Sequence, residues 1–260
     1  PTLSSTQRAR TVGASVFRGL LSTLREGEPF AAPVDFVLNE GGEPVFILRE
    51  GSQTHSNVGA DPRASLAITE ERPDGEEGAA VTLGGEAVPL PEQEFAQSHV
   101  DFLNVHPIAR ECIAAGGLAF YKLRLTSAYL HGPGESETGE WLPVEGYATA
   151  TVDALAPCSR QIMDAVSASR GADLRAFCAA FFQEEVGECE VVDLDELGFA
   201  VKVRSPAGMP PQAEVRRVAF REPVKTEQEA RSIFVKLFYQ AWASAEDEAA
   251  PVEGGAEEGA

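Results

Sequence analysis

The sequence predicts an α+β protein: an N-terminal antiparallel β domain followed by a smaller module that mixes helices with a sheet. Three observations carry this. From Phe17 onward, short apolar runs alternate with turn signals. A Gly- and Glu-rich break covers residues 131–140, and a second region with helical periodicity begins near Val152.

In the first domain, residues 18–24 and 31–38 read as strands, and Glu40-Gly41-Gly42-Glu43 turns the chain into a third strand at 44–48. This is the start of a meander, closing as a barrel or a sandwich. Residues 54–60 form a short helix or turn that Asp61-Pro62 ends, and strands resume at 64–69 and 79–90 around a charged Pro/Gly loop at 70–78. Pro91 opens a helix with Glu92 and Glu94 in its first turn, and the helix stops before Pro107. Residues 118–129 alternate as two consecutive strand segments.

In the second region, helices are expected at 158–168 and 173–182, with Leu174, Phe177, Cys178 and Phe181 on one face. The sheet they cover comes from 189–194, 198–204 and 215–220. A last helix over 226–243 opens on the capping box Thr226-Glu227-Gln228-Glu229, and Ile233, Leu237, Phe238 and Trp242 make its docking stripe. Residues 245–260 hold six acids, no bases and three glycines, a composition that cannot offset the entropy of ordering. The expected organisation is therefore residues 1–150, 151–244 and a disordered acidic tail at 245–260.

Composition excludes several function classes. With 21 Lys and Arg against 41 Asp and Glu, the formal charge of −20 repels phosphate backbones, so nucleic acid is not an expected partner. No run approaches the roughly 18 to 20 apolar residues of a membrane-spanning helix. Cys112, Cys158, Cys178 and Cys189 form no C-x-x-C pair, which points to free thiols rather than a zinc knuckle. The first acid is Glu26, after Arg8, Arg10, Arg18 and Arg25 among many Ser and Thr. Such a start resembles the flank of a cleaved organelle transit peptide, or a trimmed chain.

Candidate chemistry is sparse. His99 and His106 stand seven apart without a completing acid, and read as surface or cap residues. Asp193, Asp195 and Glu196 frame a tight turn and read as a solvated hairpin. The informative stretch is residues 54–66, where Thr54, His55 and Asn57 crowd one turn beside Arg49 and Arg63. It suits a phosphate or carboxylate cradle, and a plain helical connector capped by Thr54 accounts for it equally well.

The run Leu20-Leu21-Ser22-Thr23-Leu24, then Pro29 and Phe30, then Asp61-Pro62-Arg63-Ala64-Ser65-Leu66 resembles the pyridoxamine-phosphate-oxidase-like split barrels, and within them the HugZ-type haem-oxygenase-like branch. The likeness continues through Thr82-Leu83-Gly84-Gly85-Glu86-Ala87, His106-Pro107 and Phe120-Tyr121-Lys122-Leu123 to the segment at 193–199. It implies an N-terminal split β-barrel and a homodimer with a cofactor pocket across the interface, holding haem in this branch and FMN in the wider family. It further implies a plastid stroma protein of tetrapyrrole metabolism, with haem degradation as the activity. The alternatives are a cofactor-free regulator that binds a pathway enzyme such as glutamyl-tRNA reductase, and an FMN-dependent oxidoreductase. The implied site collects Arg49, Thr54, His55, Asn57, Arg63, Lys122, Arg124 and His131, with His55 as the iron ligand. Two departures stand out: Thr54-His55 replaces the branch's His-Thr, and Ile162-Met163-Asp164-Ala165-Val166-Ser167 lacks the histidine that bacterial relatives carry there.

Overall fold

The structure, a computed structural model, describes residues 1–132, 139–210 and 212–249. It divides into two compact units, Thr2–Ala156 and a second from Pro157 onward.

The N-terminal unit is a barrel of antiparallel strands. β1 (Arg18–Arg25), β2 (Glu28–Leu38), β3 (Pro44–Arg49), β4 (Arg63–Glu71), β5 (Glu77–Pro89), β6 (Leu118–His131) and β7 (Glu140–Leu142) lie in the order β3-β2-β1-β4-β5-β6-β7, and pairing of β3 with β6 closes the ring. Alternation along each strand turns Leu21, Phe36, Phe46, Leu66, Ile68, Val81, Leu83 and Leu123 inward, where all are fully buried. Each such side chain contributes about 1.5–3 kcal/mol relative to exposure.

The two strand segments expected at 118–129 are one long strand with a bulge. Gly84 pairs with Ser127 and Gly85 with Leu125, which leaves Thr126 as the extra residue. That extra residue shifts the phase, so Leu123 and Leu125 before it and Ala128 and Leu130 after it all serve the core. The close approach requires glycine, because a Cβ on Gly85 would fall on the Arg124 carbonyl oxygen. Gly85→Ala is expected to destabilise the barrel by about 1–3 kcal/mol in urea unfolding; an unchanged midpoint would mean the bulge relaxes freely.

Helices close the unit. The acid-free start is a folded helix, α1 (Ser5–Ser15), whose Ser4–Gln7 capping box uses the residues that gave it a leader-like composition. Its Ala9 and Val12 join the barrel core. Arg10 is buried beside them, donating to the Asn39 and Glu40 carbonyls at 3.3 and 2.7 Å and lying over the Tyr147 ring. Gly42, at φ +81°, leaves the room that this guanidinium fills. α2 (Gln53–Ala60) follows β3 and is capped by Ser52, not Thr54: Ser52 Oγ accepts from the His55 amide. α3 (Glu92–Val105) and α4 (Ala109–Ala114) cover the outer side of β2, β3 and the first half of β6 through Phe102 against Val37, Val45 and Phe120. α5 (Val144–Thr149) places Tyr147 in the core.

The C-terminal unit packs α6 (Ser159–Ser169), α7 (Gly171–Phe182) and α8 (Glu227–Ala249) with an antiparallel sheet ordered β10 (Ala213–Ala219), β9 (Gly198–Arg204), β8 (Cys189–Asp195). On α7, Leu174, Phe177 and Cys178 are buried as expected, whereas Phe181 is exposed. The buried line of α8 is Ala230, Phe234, Phe238 and Ala241, so the stripe is turned from the expected one: Trp242 lies at the surface, its indole donating to Asp173 at 3.0 Å. The capping box forms, with Glu229 N donating to Thr226 Oγ1 at 3.2 Å and Thr226 N to Glu229 Oε2 at 3.1 Å. Thr226→Ala should cost about 1 kcal/mol, read as a lower melting midpoint of this unit. The helix continues to Ala249, past the expected start of the tail, and residues 250–260 lie outside the described residues.

Candidate functional site

β6 is the element from which the candidate residues are best placed. Successive side chains on a strand point to opposite faces. Tyr121 and Leu123 face the barrel interior, and Phe120, Lys122 and Arg124 face outward. The eight sequence candidates therefore fall into separate groups rather than one cradle.

The first group lies at the β3–α2 connection. His55, half-buried, meets the Tyr121 ring edge-on with centroids 6.0 Å apart, which puts it on the interior side of β6. Among the described residues neither of its ring nitrogens has a hydrogen-bond partner. Arg49, exposed at the end of β3, has no carboxylate partner among them either. Thr54 and Asn57 on the same helix are turned into the fold. The Asn57 amide donates to Thr23 Oγ1 at 3.0 Å and accepts from Gln53 at 2.8 Å, so both of its polar atoms are satisfied internally. Asn57 is a structural tie between α2 and β1.

The second group comprises cations already neutralised. Arg63 binds Asp61 on its own turn, and the Arg63 side chain holds the Asp61 carboxyl at about 2. Lys122 lies between Glu94 of α3 at 2.8 Å and Glu43 at 3.4 Å. Burial alone would lower its pKa, but the bond to Glu94 and the charges of both acids outweigh burial and hold it above the usual lysine range. Arg124 is bonded to Glu86, its cross-strand neighbour. These pairs leave little free charge for a phosphate.

The third group was only partly visible in the sequence. The outer face of β1, β4, β5 and the second half of β6 carries side chains in registered rows, many of them small. One row reads Leu20, Ala67, Thr82, Tyr129 and Trp141; the next reads Ser22, Ser65, Gly84 and Ser127. Among the described residues, the helices of this unit pack through interior residues or over β2, β3 and the first half of β6. Leu20 is 47% and Trp141 71% exposed. His131 stands at one edge, its Nε2 2.8 Å from Thr82 Oγ1 and its ring edge-on to Tyr129, which in turn meets Trp141. Seven residues separate it from Arg124, about 23 Å along the strand. His99 stacks between Phe95 and Phe120, and His106 at the end of α3 bonds the Phe36 carbonyl at 3.0 Å, as befits a cap.

A histidine-held haem needs an available imidazole nitrogen for iron, and unpaired cations favour its carboxylates. Of the candidates, His55 and Arg49 meet those requirements, while Lys122, Arg124 and Arg63 do not. No group of three or more metal-ligating side chains occurs among the described residues, and no described helix is long and apolar enough to cross a membrane.

The comparisons agree with this architecture. Residues 6–111 match the pyridoxamine 5′-phosphate oxidase family model. A chloroplastic non-canonical haem oxygenase of Arabidopsis thaliana is 26% identical over 244 residues, 92% of this chain and 74% of that protein. A chloroplastic glutamyl-tRNA reductase-binding protein of the same plant is 25% identical over 86% of this chain and 67% of its own length. A haem-binding protein from Mycobacterium smegmatis superposes with a TM-score of 0.69 at 26% identity, covering 94% of this chain and 99% of that one. The match over residues 6–111 and the closed antiparallel barrel agree in likening the N-terminal unit to the split barrels of the pyridoxamine 5′-phosphate oxidase family.

Proposed function

We propose that the chain is a haem-binding split-barrel protein of plastid tetrapyrrole metabolism, resident in the stroma and assembled as a homodimer through its open sheet face. The observation that carries the reading is that similarity to a chloroplastic haem oxygenase and to a haem-binding protein runs through both units, over 92% and 94% of the chain. The site is compatible with it: among the described residues, His55 offers a half-buried imidazole whose ring makes no hydrogen bond, and Arg49 a cation with no carboxylate partner. In this reading His55 holds the iron and Arg49 a propionate. The relative's name extends the proposal to haem breakdown, for which bound haem would supply the iron that engages oxygen. An FMN role is disfavoured because Arg63, Lys122 and Arg124 are all neutralised by acids.

A second reading is supported by the similarity to the glutamyl-tRNA reductase-binding protein: a regulator without turnover, its strongly acidic surface engaging a basic face of a tetrapyrrole-pathway enzyme. Haem titration separates the two. A saturable Soret band is expected, and His55→Ala should shift the band and weaken binding by roughly tenfold or more, about 1.4 kcal/mol. Lys122→Ala should leave the band in place, since that ammonium is already held by Glu94 and Glu43. No saturable Soret change would remove the haem reading and leave the regulator. An unchanged spectrum in His55→Ala would retain haem and assign its iron elsewhere.

A further inference from the structure

We infer that the outward stripe of α8 is a docking surface for a basic amphipathic helix of a partner protein. It lends the regulator reading a surface, and it rests on that reading for the nature of the partner. The C-terminal unit takes Ala230, Phe234, Phe238 and Ala241 of α8 into its own core, Phe234 against Phe199 and Phe238 against Phe177. Val235, Tyr239 and Trp242 repeat at i, i+4 and i+7. At about 100° per residue, their line runs roughly 110° around the helix from the buried one. They are 55%, 75% and 52% exposed. Single exposed apolar residues are ordinary on a surface, but three on one helical line, two of them aromatic, are the kind of anchors through which a helix is recognised. Trp and Tyr are also the residue types that carry most interface energy. Trp242 is already oriented, its indole donating to Asp173 of α7 at 3.0 Å, so a partner meets it with little left to order.

Charge selects the occupant. Lys236 is the last base of the sequence, and six acids follow it: Glu246, Asp247, Glu248, Glu253, Glu257 and Glu258. The first three fall at the C-terminal end of α8, whose last turn carries no base. Carboxylates there add to the negative end of the helix dipole, an unfavourable arrangement that a cation brought from outside relieves. A second copy of this chain would set like charge against like, and an anionic membrane surface would be repelled in the same way. A helix with apolar residues on one face and Lys or Arg beside them matches both halves of the surface. Its apolar face covers Val235, Tyr239 and Trp242, and its bases meet the acidic end of α8.

The test uses the full chain and a synthetic peptide of about 20 residues built from leucine and lysine, with leucines at helical spacing. Titration calorimetry at low salt should show saturable binding that weakens as salt is added. In a Trp141→Phe chain, where Trp242 is the one tryptophan left, binding should shift the emission to the blue. Tyr239→Asp should weaken binding by roughly tenfold or more, whereas Ile108→Asp, at a still more exposed apolar position of the N-terminal unit, should leave it unchanged. The same peptide with glutamate in place of lysine should not bind. No saturable binding, an unmoved Trp242 emission, or equal losses in Tyr239→Asp and Ile108→Asp would each overturn the proposal. So would adsorption of the native chain to phosphatidylcholine vesicles that Tyr239→Asp abolishes, which would make the stripe a lipid contact, or a Tyr239→Asp chain that sediments as a monomer beside a native dimer. The emission shift decides the matter even if Tyr239→Asp does not fold. Haem titration tests the regulator reading by itself, so the failure of one is told apart from the failure of the other.

Discussion

Asp195→Ala should destabilise the C-terminal unit by about 1.5–3 kcal/mol, because it removes a buried carboxylate that accepts charge-assisted bonds from the half-buried Arg217. The Asp195 carboxylate sits at the β8–β9 turn with 5% of its side chain exposed, gripped by Arg217 Nη2 at 2.6 and 2.7 Å. The same carboxylate accepts from the Leu197 amide at 2.8 Å, so it also sets the turn. Without it, Arg217 retains the neutral Pro1 carbonyl at 3.1 Å and a looser contact to Asp193 at 3.9 Å, which do not replace two short charge-assisted bonds. Asp195→Asn keeps an oxygen for Leu197 but gives up the charge, and is expected to fall between the alanine variant and the native chain. Urea unfolding followed by Trp242 fluorescence reads this unit. A midpoint for Asp195→Ala that corresponds to less than about 1 kcal/mol of loss would show that Arg217 finds other partners or water.

The same residue shows where sequence reasoning reached its limit. The acids at 193–196 were correctly placed at a hairpin, but a hairpin turn is expected to be solvated, and Asp195 is not. Its partner Arg217 arrives from β10, 22 positions later, and Glu196 likewise meets Lys225. Pairings of that separation leave no local pattern. The barrel strands were legible because each buries one face and alternates accordingly; α1 was not, because only Ala9 and Val12 of its residues are apolar and fully buried, and its anchor is an arginine.

The site was legible in its residue types and not in its grouping. Thr54, His55 and Asn57 crowd one helical turn, yet the helix sends Asn57 into the core and leaves His55 against Tyr121. Lys122 is Tyr121's neighbour in sequence and faces the other way. Lys122 and Arg124 read as ligands because their acids, Glu43, Glu86 and Glu94, lie in distant segments. A split barrel is expected to leave an open face, but the sequence does not name the residues on it. Its rows are assembled from one residue per strand, and small half-buried side chains such as Ala67 and Ser65 give no signal until the register aligns them.

That register makes Ala67→Glu the most decisive substitution for the proposed assembly. Ala67 is half-buried near the middle of the face, flanked by Leu20 on β1 and Thr82 on β5, with Tyr129 and Trp141 beyond. On a face left to water, a glutamate there would be nearly neutral, within about 0.5 kcal/mol. Pressed against a second copy, the face would bury two carboxylates near the symmetry axis, each without a cation. The penalty for each unpaired ion is several kcal/mol, enough to turn a micromolar dimer into a monomer at any practical concentration. Arg63 does not rescue it, being held by Asp61, and Arg124 is held by Glu86. Sedimentation should therefore show the native chain as a dimer and Ala67→Glu as a folded monomer with an unaltered unfolding midpoint for the isolated barrel. A native chain that sediments as a monomer, or an Ala67→Glu variant that remains dimeric, would show that this face is not where two copies meet.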